Sequence, residues 1–156
     1  MSKFQRFYLR EHCYFVTSTI IDNVPVFSDE ENARVLVNCI YNFRKQGRYL
    51  LLAFVVMPTH FHALLVPNGK YNISQIMHSI KRSSSRLLTL GGKKLGSIWL
   101  PSFYEHVIRN KKDFNEKFKY LLANPVKAGL VAKPEEYQFS SAKPVYETDF
   151  DKYWVG

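Results

Sequence analysis

Two histidines, His60 and His62, sit one residue apart inside the apolar run "VVMPTHFHALLVP" at residues 55–67. Strand side chains alternate faces, so both imidazoles leave one face, with Leu64 and Val66, while Phe61, Ala63 and Leu65 leave the other. At a Cα separation of roughly 6–7 Å, their ring nitrogens can converge on one divalent ion. Two ligands are too few for a tight site, so a third protein group and substrate oxygens are required. A His-x-His pair alone is more often two satisfied histidines on a half-buried strand, and a further element has to decide.

That element lies about sixty residues on, in "KKDFNEKFKYLLAN". At ~100° per residue, Phe114, Phe118, Leu121 and Leu122 form one stripe, the core-facing one. Asp113, Lys117, Tyr120 and Asn124 fall on the side opposite it. Tyr120 is therefore not explained by the apolar stripe, and Asn124, one turn on, leaves the same face. A phenol ionises near pH 10 and is a weak nucleophile at neutral pH. Beside a divalent ion and a phosphodiester, it can still attack phosphorus and form a covalent phosphotyrosine. Taken alone, Tyr120 is as well read as an ordinary surface residue, one of 10 tyrosines.

The elements that must position these groups follow from pattern. Residues 12–20 are rich in β-branched and aromatic types and predict a strand. "SDEENARVLVNCIYNFRKQG" predicts a helix capped by Ser28 with Glu31 in a capping box and stopped at Gly47. "YLLLAFVVM" predicts a buried central strand, and "HFHALLV" its hairpin partner after the break at Pro58-Thr59. "NISQIMHSIKRSSSRLLTL" predicts a second helix, with Ile73, Ile76, Met77, Ile80 and Leu87 at helical spacing. "GGKKLGS" reads as a flexible basic loop, and "SFYEHVIR" as a fourth strand. The third helix is capped by Asn110 and ends before Pro125. The order β-α-β-β-α-β plus one helix is the ferredoxin-like arrangement, an α+β fold with a four-stranded antiparallel sheet, two helices on one face and an added C-terminal helix. That superfold by itself decides little about function.

A chain of 156 residues with 46% hydrophobic and 15% aromatic content predicts an ordered single domain, residues 1–132, followed by a tail, residues 133–156, packed on it. No run of about 18 uncharged apolar residues occurs, and the start lacks the apolar core of a signal peptide. Cys13 and Cys39 have no metal-type spacing and suggest a reducing, cytoplasmic setting. Residues 1–132 hold 19 Lys and Arg against 8 Asp and Glu, whereas the tail holds 3 against 5. A basic body with a slightly acidic tail fits a polyanionic partner, nucleic acid foremost.

Together, "MPTHFHALLV", "SIWLPSFYEHVIRNKKDF", "YLLANPVKAGLV" and "PEEYQFSS" resemble the single-tyrosine transposases with a His-hydrophobic-His motif. The resemblance is to the REP-associated tyrosine transposases of the IS200/IS605-like superfamily and spans about residues 5–142. It implies that His60 and His62 bind a metal, Mg²⁺ or Mn²⁺, that Tyr120 is the nucleophile, and that Asn124 is the third ligand. The implied activity is metal-dependent cleavage and rejoining of single-stranded, hairpin-bearing DNA through a 5′-phosphotyrosine link. The motif usually carries Asn or Asp where this chain has Thr59. That side chain is expected to point away from the metal, with little effect.

The basic groups expected on DNA are Lys81, Arg82 and Arg86 on the second helix, Lys93 and Lys94 in the Gly-rich segment, and Arg109, Lys111 and Lys112 before the third helix. Arg6 and Arg10 match the region that the resemblance associates with a guide sequence or hairpin. His106 is a candidate neighbour of the metal or a phosphate contact, or simply structural. Action as a monomer and as a homodimer both stay open. So does the alternative of a non-catalytic single-stranded nucleic-acid binding module, an architecture that an open sheet face permits.

Overall fold

The computed structural model describes residues 12–153. Its centre is one antiparallel sheet in the order β2-β3-β1-β6, formed by β1 (Tyr14–Thr19), β2 (Tyr49–Met57), β3 (His60–Pro67) and β6 (Tyr104–Val107). The helices are α1 (Glu30–Lys45), α2 (Ile73–Leu87), α3 (Lys111–Lys127) and a single turn, α4 (Phe150–Tyr153). This is the expected ferredoxin-like arrangement, with β1 and β3 in the middle.

One sheet face is covered by α1 and α2. Leu36, Ile40 and Phe43 of α1 and Ile76, Met77 and Ile80 of α2 bury against Val16, Phe54, Val56, Phe61, Ala63 and Leu65. Phe15, Leu52, Ala53, Val55, Met57, Leu64 and Val66 face the other way, where Phe114 and Leu121 of α3 cover them. β2 reads as a continuous apolar run because it is covered on both faces. Leu52 and Ala53 share a face because a bulge interrupts the register between Leu51 and Ala53.

Several local expectations need correction. The first helix is capped by Asp29, not Ser28, and the Asp29 carboxylate accepts from the backbone N–H groups of Glu31 and Asn32. Asp and Ser cap comparably well, and here the chain enters the helix one residue later. The capping box appears instead on α2, where Asn72 and Gln75 exchange side chain-to-backbone bonds. That helix stops at Leu87, which is 56% exposed, and the extended residue Leu88 turns into the core in its place.

"GGKKLGS" is not simply a loop. Thr89–Leu90 (β4) and Lys93–Lys94 (β5) form a small hairpin across Gly91 and Gly92, both at positive φ. Pro125 lies inside α3 rather than beyond it. Proline loses only its own N–H, and around it Ala128 N–H still reaches the Asn124 carbonyl at 3.0 Å and Leu130 N–H reaches the Pro125 carbonyl at 2.9 Å.

The segment after α3 runs back along the outer edge of β2. Val56 N–H donates to the Phe139 carbonyl at 2.9 Å and Ser141 N–H to the Phe54 carbonyl at 3.0 Å, which satisfies an edge that would otherwise be free to pair. Further on, Asp149 is inserted between β2 and α1, where it accepts from Leu51 N–H and from Nε and Nη2 of Arg44, each at 2.9 Å.

Candidate active site

The sheet register brings the first group together. Thr17 on β1 lies directly across from His62 on β3, and Thr19 across from His60. Side chains of one face meet in such pairs, and Thr17 Oγ1 lies 2.7 Å from His62 Nδ1. His62 is 5% exposed. Its ring stacks on Phe15 with centroids 5.2 Å apart and meets His60 edge-on at 4.8 Å. Both histidines lie on the α3-facing side of the sheet, as strand alternation predicts.

Thr59 lies against His60. Its Oγ1 is 2.9 Å from His60 Nδ1. The tight β2–β3 connection brings the Thr59 hydroxyl to that ring nitrogen.

α3 crosses this face and supplies the rest. The Tyr120 ring meets His62 edge-on at 5.6 Å and Phe15 at 6.0 Å. The Asn124 amide Nδ2 is 3.4 Å from His62 Nε2. The stripe carrying these two residues is not opposite the apolar stripe but next to it. Asp113, in line with Tyr120 and Asn124, is only 5% exposed. At 3.6 residues per turn the two stripes are about 100° apart, so a helix lying in the groove of a twisted sheet buries one and turns the other toward the histidines. Lys127, one further turn along, holds Nζ 5.5 Å from the Tyr120 ring centroid.

Asp113 and His106 fasten the start of this helix to β6. His106 Nε2 lies 2.8 Å from Asp113 Oδ2, which also accepts from Arg109 N–H at 2.9 Å. Asn110 caps the same turn as expected, accepting from Asp113 N–H at 2.8 Å. Burial works to raise the Asp113 pKa, but the Arg109 backbone N–H and His106 outweigh it and hold the carboxyl below its ordinary value. His106 thus contacts the helix rather than His60 or His62.

The electrostatics favour neutral imidazoles. Burial, and secondarily the neighbouring His60, pushes the His62 pKa down to about 3; burial also lowers that of His60. The folded pKa of His62 lies below the ordinary value near 6.5, so its contribution to stability is complete above that pH and is lost as pH falls toward 3. We expect unfolding free energy to drop by up to roughly 1.4 kcal/mol per pH unit across this window from His62 alone. Denaturant melts at pH 4–7 should show a flatter slope in His62→Gln. An unchanged slope would show that His62 is not buried neutral.

Among the described residues, no three His, Cys, Asp or Glu side chains gather at metal-binding spacing. The polar group nearest the pair on α3 is the Asn124 amide, beside His62. The donor set of two neutral imidazoles and an amide fits a divalent ion that completes its shell with substrate oxygens.

The expected DNA contacts are distributed unevenly. Arg82 and Arg86, exposed on α2, line a groove of about 420 Å³ with His78, Ser97, Trp99 and Leu100. Lys81 is not a free surface cation, because its ammonium donates to the carbonyls of Leu100 and Pro101 at 2.7 and 3.3 Å. Lys93 and Lys94 are exposed on β5. Arg109 approaches Asp113 at 3.7 Å, and Lys111 and Lys112 line a shallow hollow at the start of α3. Arg6 and Arg10 lie outside the described residues. The sequence reading passed over Phe15, Thr17 and Lys127. Phe15 and Thr17 become visible only once β1 is placed against β3, and Lys127 only when α3 continues through Pro125.

Two imidazoles on the α3-facing side of a ferredoxin-like sheet, overhung by a helix-borne tyrosine, define the layout of a single-tyrosine transposase. The chain belongs to the family described as "Transposase IS200 like", whose model matches residues 9–121. It is 28% identical to the REP-associated tyrosine transposase of Escherichia coli (strain K12), over all of this chain and 92% of that protein. It is 25% identical to a putative REP-associated tyrosine transposase of Haemophilus influenzae, over 90% of this chain and 85% of that one. It superposes with a TM-score of 0.72, at 27% identity and over 100% of this chain and 92% of the other, on a REP-associated tyrosine transposase solved bound to a REP hairpin. A putative transposase from Deinococcus radiodurans shares the fold, with a TM-score of 0.53 at 20% identity, over 73% of this chain and 90% of that one. No described helix is long and apolar enough to cross a membrane.

Proposed function

We propose that this transposase cuts and rejoins single-stranded DNA next to a hairpin, with Tyr120 as nucleophile and with His60, His62 and Asn124 holding a divalent ion, Mg²⁺ or Mn²⁺. The observation that carries this reading is the convergence of Tyr120 and Asn124, from one helix, on His62.

When bound, the ion would polarise the scissile phosphate and offset charge that develops on its oxygens. His60 and His62 would hold it through neutral ring nitrogens. Asn124 would contribute its amide oxygen, which requires a half-turn of the amide that now faces His62 with Nδ2. Tyr120 Oη attacks phosphorus and gives up its proton, the bond from phosphorus to the 3′-oxygen breaks, and that oxygen takes a proton to leave a free 3′-hydroxyl. The 5′-phosphate stays esterified to Tyr120, and reversal of the step rejoins strands without a nucleotide cofactor. Lys127 supplies a cation for a phosphate beside the phenol. Tyr120 overlies the His62 of its own chain, which favours action within one molecule.

The groove at Arg82 and Arg86 suits the hairpin. It borders Leu100, whose N–H donates to the Thr19 carbonyl at 2.9 Å, and Thr19 pairs with His60. DNA held there would reach the histidines around the end of β1, and its affinity would fall steeply with salt.

The test is incubation with a labelled hairpin oligonucleotide carrying a single-stranded flank. Mn²⁺ or Mg²⁺ should support a covalent protein–DNA adduct and EDTA should abolish it. Hairpin binding unchanged by EDTA, with no adduct on any flank, would instead identify a non-catalytic binding module.

A further inference from the structure

Resting on the metal reading above, we propose that Thr17 and Thr59 are positioning residues that hold both imidazoles in the tautomer with the proton on Nδ1 and the lone pair on Nε2, aimed at the ion.

The two contacts are alike although they come from unrelated places. Thr17 is a cross-strand neighbour on β1 whose Oγ1 lies 2.7 Å from His62 Nδ1. Thr59 belongs to the β2–β3 turn, and its Oγ1 lies 2.9 Å from His60 Nδ1. In each ring the same nitrogen is taken up by a hydroxyl, which leaves Nε2 as the atom available for coordination. A neutral imidazole has one N–H and one lone pair, so the partner of one nitrogen decides the character of the other.

A hydroxyl can donate or accept, and the ion, which needs a lone pair on Nε2, sets the direction; the contact with Asn124 is compatible with it. Asn124 presents an amide nitrogen to His62 Nε2 at 3.4 Å. An amide N–H is matched by a lone pair on Nε2, not by a second N–H. The proton therefore belongs on Nδ1, with Thr17 as its acceptor. Thr59 occupies the corresponding place at His60 Nδ1, and the same lone pair on Nε2 requires it to accept there.

The rigidity of the arrangement suits this role. Thr17 is β-branched, with restricted χ1. His62 has no room to swing, because Phe15 stacks on one side of it at 5.2 Å and Tyr120 and His60 close the others. Partners that orient a ligating histidine in this way are typically worth 10–100-fold in metal affinity.

The full chain, free of metal and ¹⁵N-labelled on histidine, tests this by NMR at neutral pH. Both His60 and His62 should show the proton on Nδ1. Thr17→Val and Thr59→Val should each erode that preference and weaken Mn²⁺ binding by about 10-fold or more, measured by electron paramagnetic resonance, and the Ser variants should restore both. A purely structural role would change melting temperature but neither the tautomer nor its rescue by Ser. Protonated Nε2 in the parent protein would overturn the proposal. So would a doubly Val-substituted protein with unchanged tautomers and Mn²⁺ affinity. If Thr17→Val fails to fold, Thr59→Val, in a half-buried turn, gives the same two readouts. A parent protein that binds no Mn²⁺ would defeat the metal reading alone, and the tautomer would still decide the threonines.

Discussion

Tyr120→Phe should yield no covalent protein–DNA adduct and should slow strand cleavage by at least about 10⁴-fold, the scale expected when a nucleophile is removed from an otherwise intact site. The substitution is clean on structural grounds. Tyr120 is 44% exposed, and phenylalanine preserves the ring that meets His62 and Phe15 and the face near Lys127. Stability should change by less than ~0.5 kcal/mol, and hairpin binding should persist. The measurement is denaturing electrophoresis of labelled strand with Mn²⁺, where the parent forms a shifted band and the variant does not. Tyr104 is the natural control. It is an exposed phenol on the same sheet face, its ring 6.4 Å from that of Phe15, but on β6 rather than α3. An adduct that survives Tyr120→Phe but disappears in Tyr104→Phe would move the nucleophile to the strand.

Asp149→Ala should be the most damaging substitution for the fold, costing about 3–5 kcal/mol, the usual effect of removing one partner of a buried ion pair. Asp149 is 3% exposed. Its loss would take two bonds of 2.9 Å from the Arg44 guanidinium, leaving Glu147 at 3.6 Å as its carboxylate partner, and would leave Leu51 N–H without its acceptor. For a chain of this size, each kcal/mol shifts the melting temperature by roughly 2–4 °C, so a fall of about 10 °C is expected. Asp149→Asn keeps an acceptor for Leu51 and should lose less. Burial alone would raise the Asp149 pKa, but Arg44 and the Leu51 N–H overcome this and hold it below the ordinary value. Its contribution is therefore intact above the unfolded carboxylate range near pH 4 and fades as pH drops through the folded pKa. A loss under ~1 kcal/mol at neutral pH, within the range of a surface pair, would show that the clamp does not hold the tail to β2.

The elements were legible because each carries its own period. β2 and β3 appear at the expected residues, and α3 begins at the expected cap, Asn110. What went astray was local competition between neighbours. Asp29 and Ser28 both cap well, and only the approach of the chain chose Asp29. Pro125 ends most helices, but near the last turn it forfeits a single hydrogen bond, and its buried ring packs in return. The paired glycines at 91 and 92 suggested flexibility, whereas their positive φ values make a tight turn between β4 and β5.

The candidate site divides in the same way. That His60 and His62 share a face, and that Tyr120 and Asn124 share another, follows from the 2.0 and 3.6 residue periods of strand and helix, which act within one element and need no partner. That the two faces meet does not follow. It depends on where α3 lies across β1 and β3, and that is set by Phe114 and Leu121 burying on the sheet and by Asp113 fastening the helix to His106. A helical wheel separates the Tyr120 stripe from the apolar one but has no neighbour to say what surface that stripe meets. Thr17 is the plainest case. Nothing within residues 14–19 marks it, since its importance is a register between strands 45 residues apart in sequence. The sequence alone determined which residue types could do the chemistry and on which side of each element they stand. Only the tertiary structure decided which of them touch, because contact between distant elements is a property of packing and not of period.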